Sequence, residues 1–138
     1  MDNNSVFIEK LRSSGLRPTK QRLEICKLLF DRKKTFHFTI SDLSKILIKE
    51  TDEKISLATI YNTVHSFKKK EYLKEISVSS EKSYFDTNMS NHHHFIDEST
   101  NEIFDLHTND VSNIKIKKKF SGKKVKSIEV LVKLENNN

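Results

Sequence analysis

The sequence predicts an α+β fold in which a helix-rich part, residues 1–86, precedes a small strand-rich part, residues 87–138. Three observations carry this expectation. Apolar residues recur at helical spacing as far as Lys70, short runs alternate apolar and polar from Leu73 onward, and a basic stretch up to residue 84 gives way to an acidic one over residues 85–114. At 138 residues and 16.2 kDa the chain makes one domain or two very small ones. No apolar run approaches the roughly 18 residues of a spanning helix. The start, Met1-Asp2-Asn3-Asn4, lacks the basic-then-apolar order of a signal peptide, so a cytoplasmic protein without a membrane partner is expected.

Taken in order, Val6 to Ser14 reads as a short helix, with Phe7 and Leu11 one turn apart and Gly15 placed to stop it. Pro18 suits the first turn of a second helix running to about Phe30, with Leu23, Cys26, Leu29 and Phe30 inward. A third spans Ser41 to about Glu50 and buries Leu43, Ile46 and Leu47. Ser56 is placed to cap a fourth, extending to about Lys70. There Leu57, Ile60, Val64 and Phe67 form an apolar stripe, and Ala58, Thr59, Asn62, Ser66 and Lys69 face away, with Tyr61 and His65 at the edge. Leu73–Val78 and Ser83–Asp86 then make a hairpin around Ser79-Ser80-Glu81-Lys82. Helices ending in an amphipathic one with a polar outer face, followed by a hairpin, give the pattern of a winged helix-turn-helix.

Beyond it, His93–Ile96 and Glu102–Leu106 read as strands, Asp110 to about Phe120 as a helix, and the alternation Ile128, Val130, Val132, Leu134 as a last strand. So few elements make a poor independent core, and a small α/β dimerisation domain in a homodimer is expected.

Charge sharpens this division. Residues 1–84 hold 17 basic and 11 acidic side chains, residues 85–114 hold none and six, and residues 115–138 hold eight and two. Four of the six histidines, His92, His93, His94 and His107, lie in the acidic middle block, a setting for a cation beside a basic flank suited to a polyanion. The single cysteine, Cys26, cannot form an internal disulfide or a multi-cysteine zinc site.

Leu16-Arg17-Pro18-Thr19-Lys20-Gln21-Arg22, His37 before a helix, Ser56-Leu57-Ala58-Thr59-Ile60-Tyr61-Asn62-Thr63 with Phe67, Tyr84-Phe85-Asp86-Thr87-Asn88 and His92-His93-His94-Phe95 together resemble the ferric uptake regulator family. Its iron response regulator branch is the most similar. The resemblance covers roughly residues 10–107 and implies a dimeric transcriptional regulator, dependent on metal or heme, with a winged helix and a C-terminal α/β dimerisation domain. Two departures stand out. Asp97 and Thr100 occupy positions where usual members carry a Cys-x-x-Cys pair, so no cysteine-type structural zinc is expected, and Cys26 precedes Lys27 rather than the proline of a heme regulatory motif.

On a strand, His92 and His94 share one face and His93 takes the other. The pair can bind one ion, with His37 and Asp86 or Asp105 filling the remaining positions, and these positions match the family's inter-domain metal site. Nitrogen and carboxylate donors suit Fe(II), Mn(II) or Zn(II). His92, His93 and His94 are also candidates for heme, with His93 available to heme iron. The branch resemblance implies that heme lowers DNA affinity, whereas in ordinary members metal raises it, and the sequence leaves both open. For double-stranded DNA, expected to be an A·T-rich inverted repeat, Tyr61, Thr59 and Asn62 are candidate base readers, and Arg17, Lys20, Arg22 and Lys69 candidates for phosphates or the minor groove. An enzyme is not expected, since the chain has no Gly-rich phosphate loop, no His-Glu-x-x-His helix and no nucleophile beside a base.

Overall fold

The computed structural model describes residues 3–138, which divide into two compact units, one ending at Met89 and one starting at Ser90. The first unit contains α1 (Asn3–Ser13), α2 (Lys20–Phe30), β1 (His37–Phe38), α3 (Ile40–Glu50), α4 (Leu57–Lys69), β2 (Lys74–Ser77) and β3 (Ser83–Asp86). Its three strands pair antiparallel in the order β1-β3-β2. Four helices and the β2–β3 hairpin make the winged helix.

α2, α3 and α4 each start where a side-chain oxygen takes an unpaired N–H. Thr19 accepts from the Arg22 amide, so α2 begins at Lys20 rather than at Pro18, which lies just before the cap. Thr39 caps α3 and completes a reciprocal box with Asp42, whose carboxylate accepts from the Thr39 amide at 3.1 Å. Ser56 caps α4. Thr39→Ala removes half of the box and is expected to cost about 1 kcal/mol, which a denaturant titration of the whole protein would measure.

The core of this unit joins Phe7, Leu11, Ile25, Cys26, Leu29, Phe38, Leu43, Leu47, Ile60, Val64, Phe67, Leu73 and Phe85. Leu57 departs from expectation. It is the first residue of α4 and is 61% exposed, whereas Ile60 in the same turn is fully buried. Thr63 is buried on the same helix instead, and its hydroxyl donates to the Thr59 carbonyl at 2.7 Å, so no polar atom is stranded. β1 is two residues long, too short for alternation to mark it as a strand in the sequence.

The second unit contains β4 (His93–Asp97), β5 (Glu102–Leu106), a 3-10 turn at Thr108–Asp110 and β6 (Leu131–Leu134). β4 lies between an antiparallel β5 and a parallel β6. The helix expected over Asp110 to Phe120 is not formed, and after the 3-10 turn this stretch has no regular structure. Val111, Ile114 and Ile116 are β-branched, and Lys115 and Lys119 would place like charges one turn apart, both unfavourable to a helix. The last strand covers only the second half of the Ile128–Leu134 alternation. Among the described residues no helix is long and apolar enough to cross a membrane.

Candidate metal centre

Each unit carries its own set of metal-type donors, placed by strand register. In the first unit β1 pairs with β3 so that His37 lies directly opposite Asp86. The His37 Nε2 is 3.1 Å from Asp86 Oδ2, and the carboxylate, fully buried, also accepts the Asn88 amide through Oδ1 at 2.8 Å. A buried carboxylate needs such partners, because unpaired charge is costly away from water.

In the second unit His94 lies opposite Asp105 in the β4–β5 register, and His92 precedes it by two residues. The His92 Nε2 is 3.1 Å and the His94 Nε2 3.5 Å from the same oxygen, Asp105 Oδ1, and the two rings are 4.4 Å apart. All three residues offer donor atoms within 4.8 Å of one another. His92 Nδ1 lies 2.7 Å from the Ser90 carbonyl, which can only accept, so Nδ1 carries a hydrogen, and in the neutral form of the ring the Nε2 lone pair faces Asp105. A lone pair facing a carboxylate oxygen calls for a positive charge between them, a proton or a metal ion. A carbonyl that fixes the tautomer is also the usual outer-shell support of a metal-binding histidine. The nitrogen and oxygen donors fit Fe(II), Mn(II) or Zn(II). Ser90 acts here through its backbone, which no side-chain pattern in the sequence reports.

His93 faces the other way, as alternation requires, and is 8% exposed. Its Nδ1 accepts the Val130 amide at 3.0 Å, which leaves the hydrogen of the neutral ring on Nε2. Ligation of heme iron through that nitrogen would require the proton to leave. His107 is exposed at the start of the 3-10 turn. Cys26 lies buried in α2, and burial pushes its thiol up to about 12.

The ferric uptake regulator family model matches residues 13–134. The chain belongs to the ferric uptake regulator family. Over 100 residues it is 36% identical to the peroxide-responsive repressor PerR of Staphylococcus epidermidis, a match covering 72% of this chain and 65% of that protein. The match therefore spans just under two-thirds of the relative's length. Among solved structures, the ferric uptake regulator from Pseudomonas aeruginosa with manganese superposes with a TM-score of 0.68 at 18% identity, covering 96% of this chain and 99% of that one. The ferric uptake regulator from Francisella tularensis with iron gives a TM-score of 0.70 at 17% identity, covering 88% and 92%. These two likenesses concern the fold.

In this member of the ferric uptake regulator family the candidate DNA-contacting residues all lie in the winged-helix unit. Tyr61, Asn62 and Lys69 are exposed on α4, whereas Thr59 is half-buried and its hydroxyl accepts from Ser56 Oγ at 3.0 Å. Lys20 Nζ is 2.8 Å from Glu53 Oε1, and that carboxylate raises the lysine pKa. Arg22 donates through Nη1 to the Arg17 carbonyl at 3.0 Å, which ties its guanidinium to the loop before α2. Arg17 itself is exposed.

Proposed function

We propose that this chain is a homodimeric, metal-responsive transcriptional regulator that binds double-stranded DNA through α4 of its winged helix, residues 1–86, and senses a divalent cation through residues that include its dimerisation domain, residues 87–138. Family membership supports the class, one of transcription regulators rather than enzymes. The observation that carries the metal reading is the convergence of His92 and His94 on one oxygen of Asp105, with His92 held in the ligating tautomer by Ser90. His37 and Asp86 of the first unit are proposed as metal ligands as well. Bound there, Fe(II), Mn(II) or Zn(II) would supply the positive charge that these donors share. Sensing then amounts to a difference in metal affinity between conformations that bind DNA well and poorly.

A heme-responsive form of the same function, as in the iron response regulator branch, rests on the run His92-His93-His94. His92 and His94 are the stronger heme candidates of the three, because His93 already engages Val130 through Nδ1.

The test is duplex binding by metal-stripped protein to an A·T-rich inverted repeat at fixed salt, repeated with Mn(II) and with heme. A change in affinity with Mn(II) alone supports the metal reading. Release by heme with a shifted Soret band supports the heme form, and indifference to both ligands overturns ligand sensing. In the same assay Tyr61→Ala is expected to cost about 1–3 kcal/mol on the specific duplex and little on random DNA. Lys20→Ala should weaken both duplexes and flatten the salt dependence. Equal losses on both duplexes for Tyr61→Ala would remove it as a base reader.

A further inference from the structure

We propose that His65 is a positioning residue for DNA reading, the side chain that sets the pose of the Tyr61 ring. The inference rests on the reading of α4 as the DNA-contacting helix. It starts from helix geometry. Tyr61 and His65 are four residues apart on α4 and so lie one above the other on the same face. Side chains of a helix lean toward its N-terminus, so the imidazole of His65 reaches back over the turn that bears Tyr61.

The rings meet. Their centroids are 4.0 Å apart with the planes inclined at 37°. Tyr61 is 53% exposed, and an exposed side chain with no neighbour exchanges rotamers freely. Its neighbour here is itself held. His65 is half-buried and stands edge-on to Phe85, with centroids 5.6 Å apart and planes at 83°. Phe85 is 2% exposed, belongs to the central strand β3, and stacks at 5.7 Å on Phe38, its cross-strand partner in β1.

The brace therefore runs from the sheet of the winged helix, through Phe85 and His65, to the exposed ring of Tyr61. A base-reading tyrosine held in one rotamer loses less freedom when DNA arrives than a freely turning one. The loss avoided falls on specific complexes, where the ring must sit against a base edge, and not on phosphate contacts, which need no particular pose of Tyr61. An aromatic pair of this kind favours the stacked arrangement by roughly 2- to 10-fold. His65 should contribute a factor of that size to the ratio of specific to random DNA affinity.

The test uses the full-length protein and three variants, His65→Ala, His65→Phe and Tyr61→Ala. Proton NMR follows the ring-current shift of the Tyr61 ring protons, assigned by their absence in Tyr61→Ala, and duplex binding gives the specific-to-random ratio. His65→Ala is expected to move the Tyr61 resonances toward their random-coil positions and to lower the ratio by roughly 2- to 10-fold. His65→Phe should restore both. A purely structural role would change the melting temperature and weaken both duplexes alike, and that pattern overturns the proposal. Unchanged Tyr61 resonances in His65→Ala overturn it as well. If Tyr61→Ala lowers the ratio and His65→Ala does not, the brace alone fails. If neither variant changes the ratio, it is the base-reading role of Tyr61 that fails, and with it the functional part of the inference.

Discussion

His94→Ala is expected to weaken Mn(II) or Zn(II) binding by at least the roughly 10- to 100-fold that loss of an outer-shell partner costs. His94 is directly opposite Asp105 in register, its ring is 4.4 Å from that of His92, and both histidines point Nε2 at one carboxylate oxygen. Removing one imidazole leaves His92 and Asp105 in this unit, too few donors for a closed shell. Titration of the metal-stripped protein against a chelating competitor measures the affinity. The duplex assay should show the metal response of DNA binding lost, while binding to random DNA persists. An unchanged metal affinity would remove His94 from the site.

Phe67→Ala should have the largest effect on stability, a loss of about 3–5 kcal/mol. The side chain is fully buried, stands edge-on to Phe30 at 5.3 Å and approaches Tyr72 at 6.3 Å. Those two rings come from the end of α2 and from the turn after α4, so the cavity would open between elements that Phe67 joins. Domains of this size have about 5–15 kcal/mol in total. The variant should therefore melt at a much lower temperature by circular dichroism, and a midpoint within a few degrees of the parent would show that Phe30 and Tyr72 collapse into the space.

The elements legible in the sequence are those whose boundaries are local. Ser56 is legible as the cap of α4 because a hydroxyl three residues ahead of an unpaired amide is a short-range arrangement, whereas the caps Thr19 and Thr39 start α2 and α3 at Lys20 and Ile40, close to but not at the Pro18 and Ser41 that the pattern suggests. The segment after Asp110 departs from the helix that its pattern suggests because its apolar residues suit helix and strand spacing about equally, and lysine repulsion and β-branching tip the balance. The site divides in the same way. The shared face of His92 and His94 follows from alternation alone. That Asp105, rather than another of the six carboxylates of the middle block, meets them depends on the β4–β5 register, and the meeting of His37 with Asp86 depends on a strand of two residues. Long-range pairing of this kind leaves no local mark. Likewise Leu57 fits the apolar stripe of α4, and only the packing leaves it exposed while Ile60 in the same turn is fully buried.

The segment joining the two units has almost no slack. Thr87 is tied on the upstream side, its amide donating to the Phe36 carbonyl at 3.2 Å and its hydroxyl accepting from the Phe36 amide at 2.9 Å, and the Asn88 amide is tied to Asp86. Downstream, the Ser90 carbonyl is engaged by His92. Met89 lies between these two sets of bonds. From Asp86 to His92 is six residues, a leash of roughly 20 Å at most at about 3.4 Å per residue. Inserting glycine and serine between Asn88 and Ser90 would lengthen this leash without altering a single donor of either set, so the metal affinity of each set taken by itself should be unchanged.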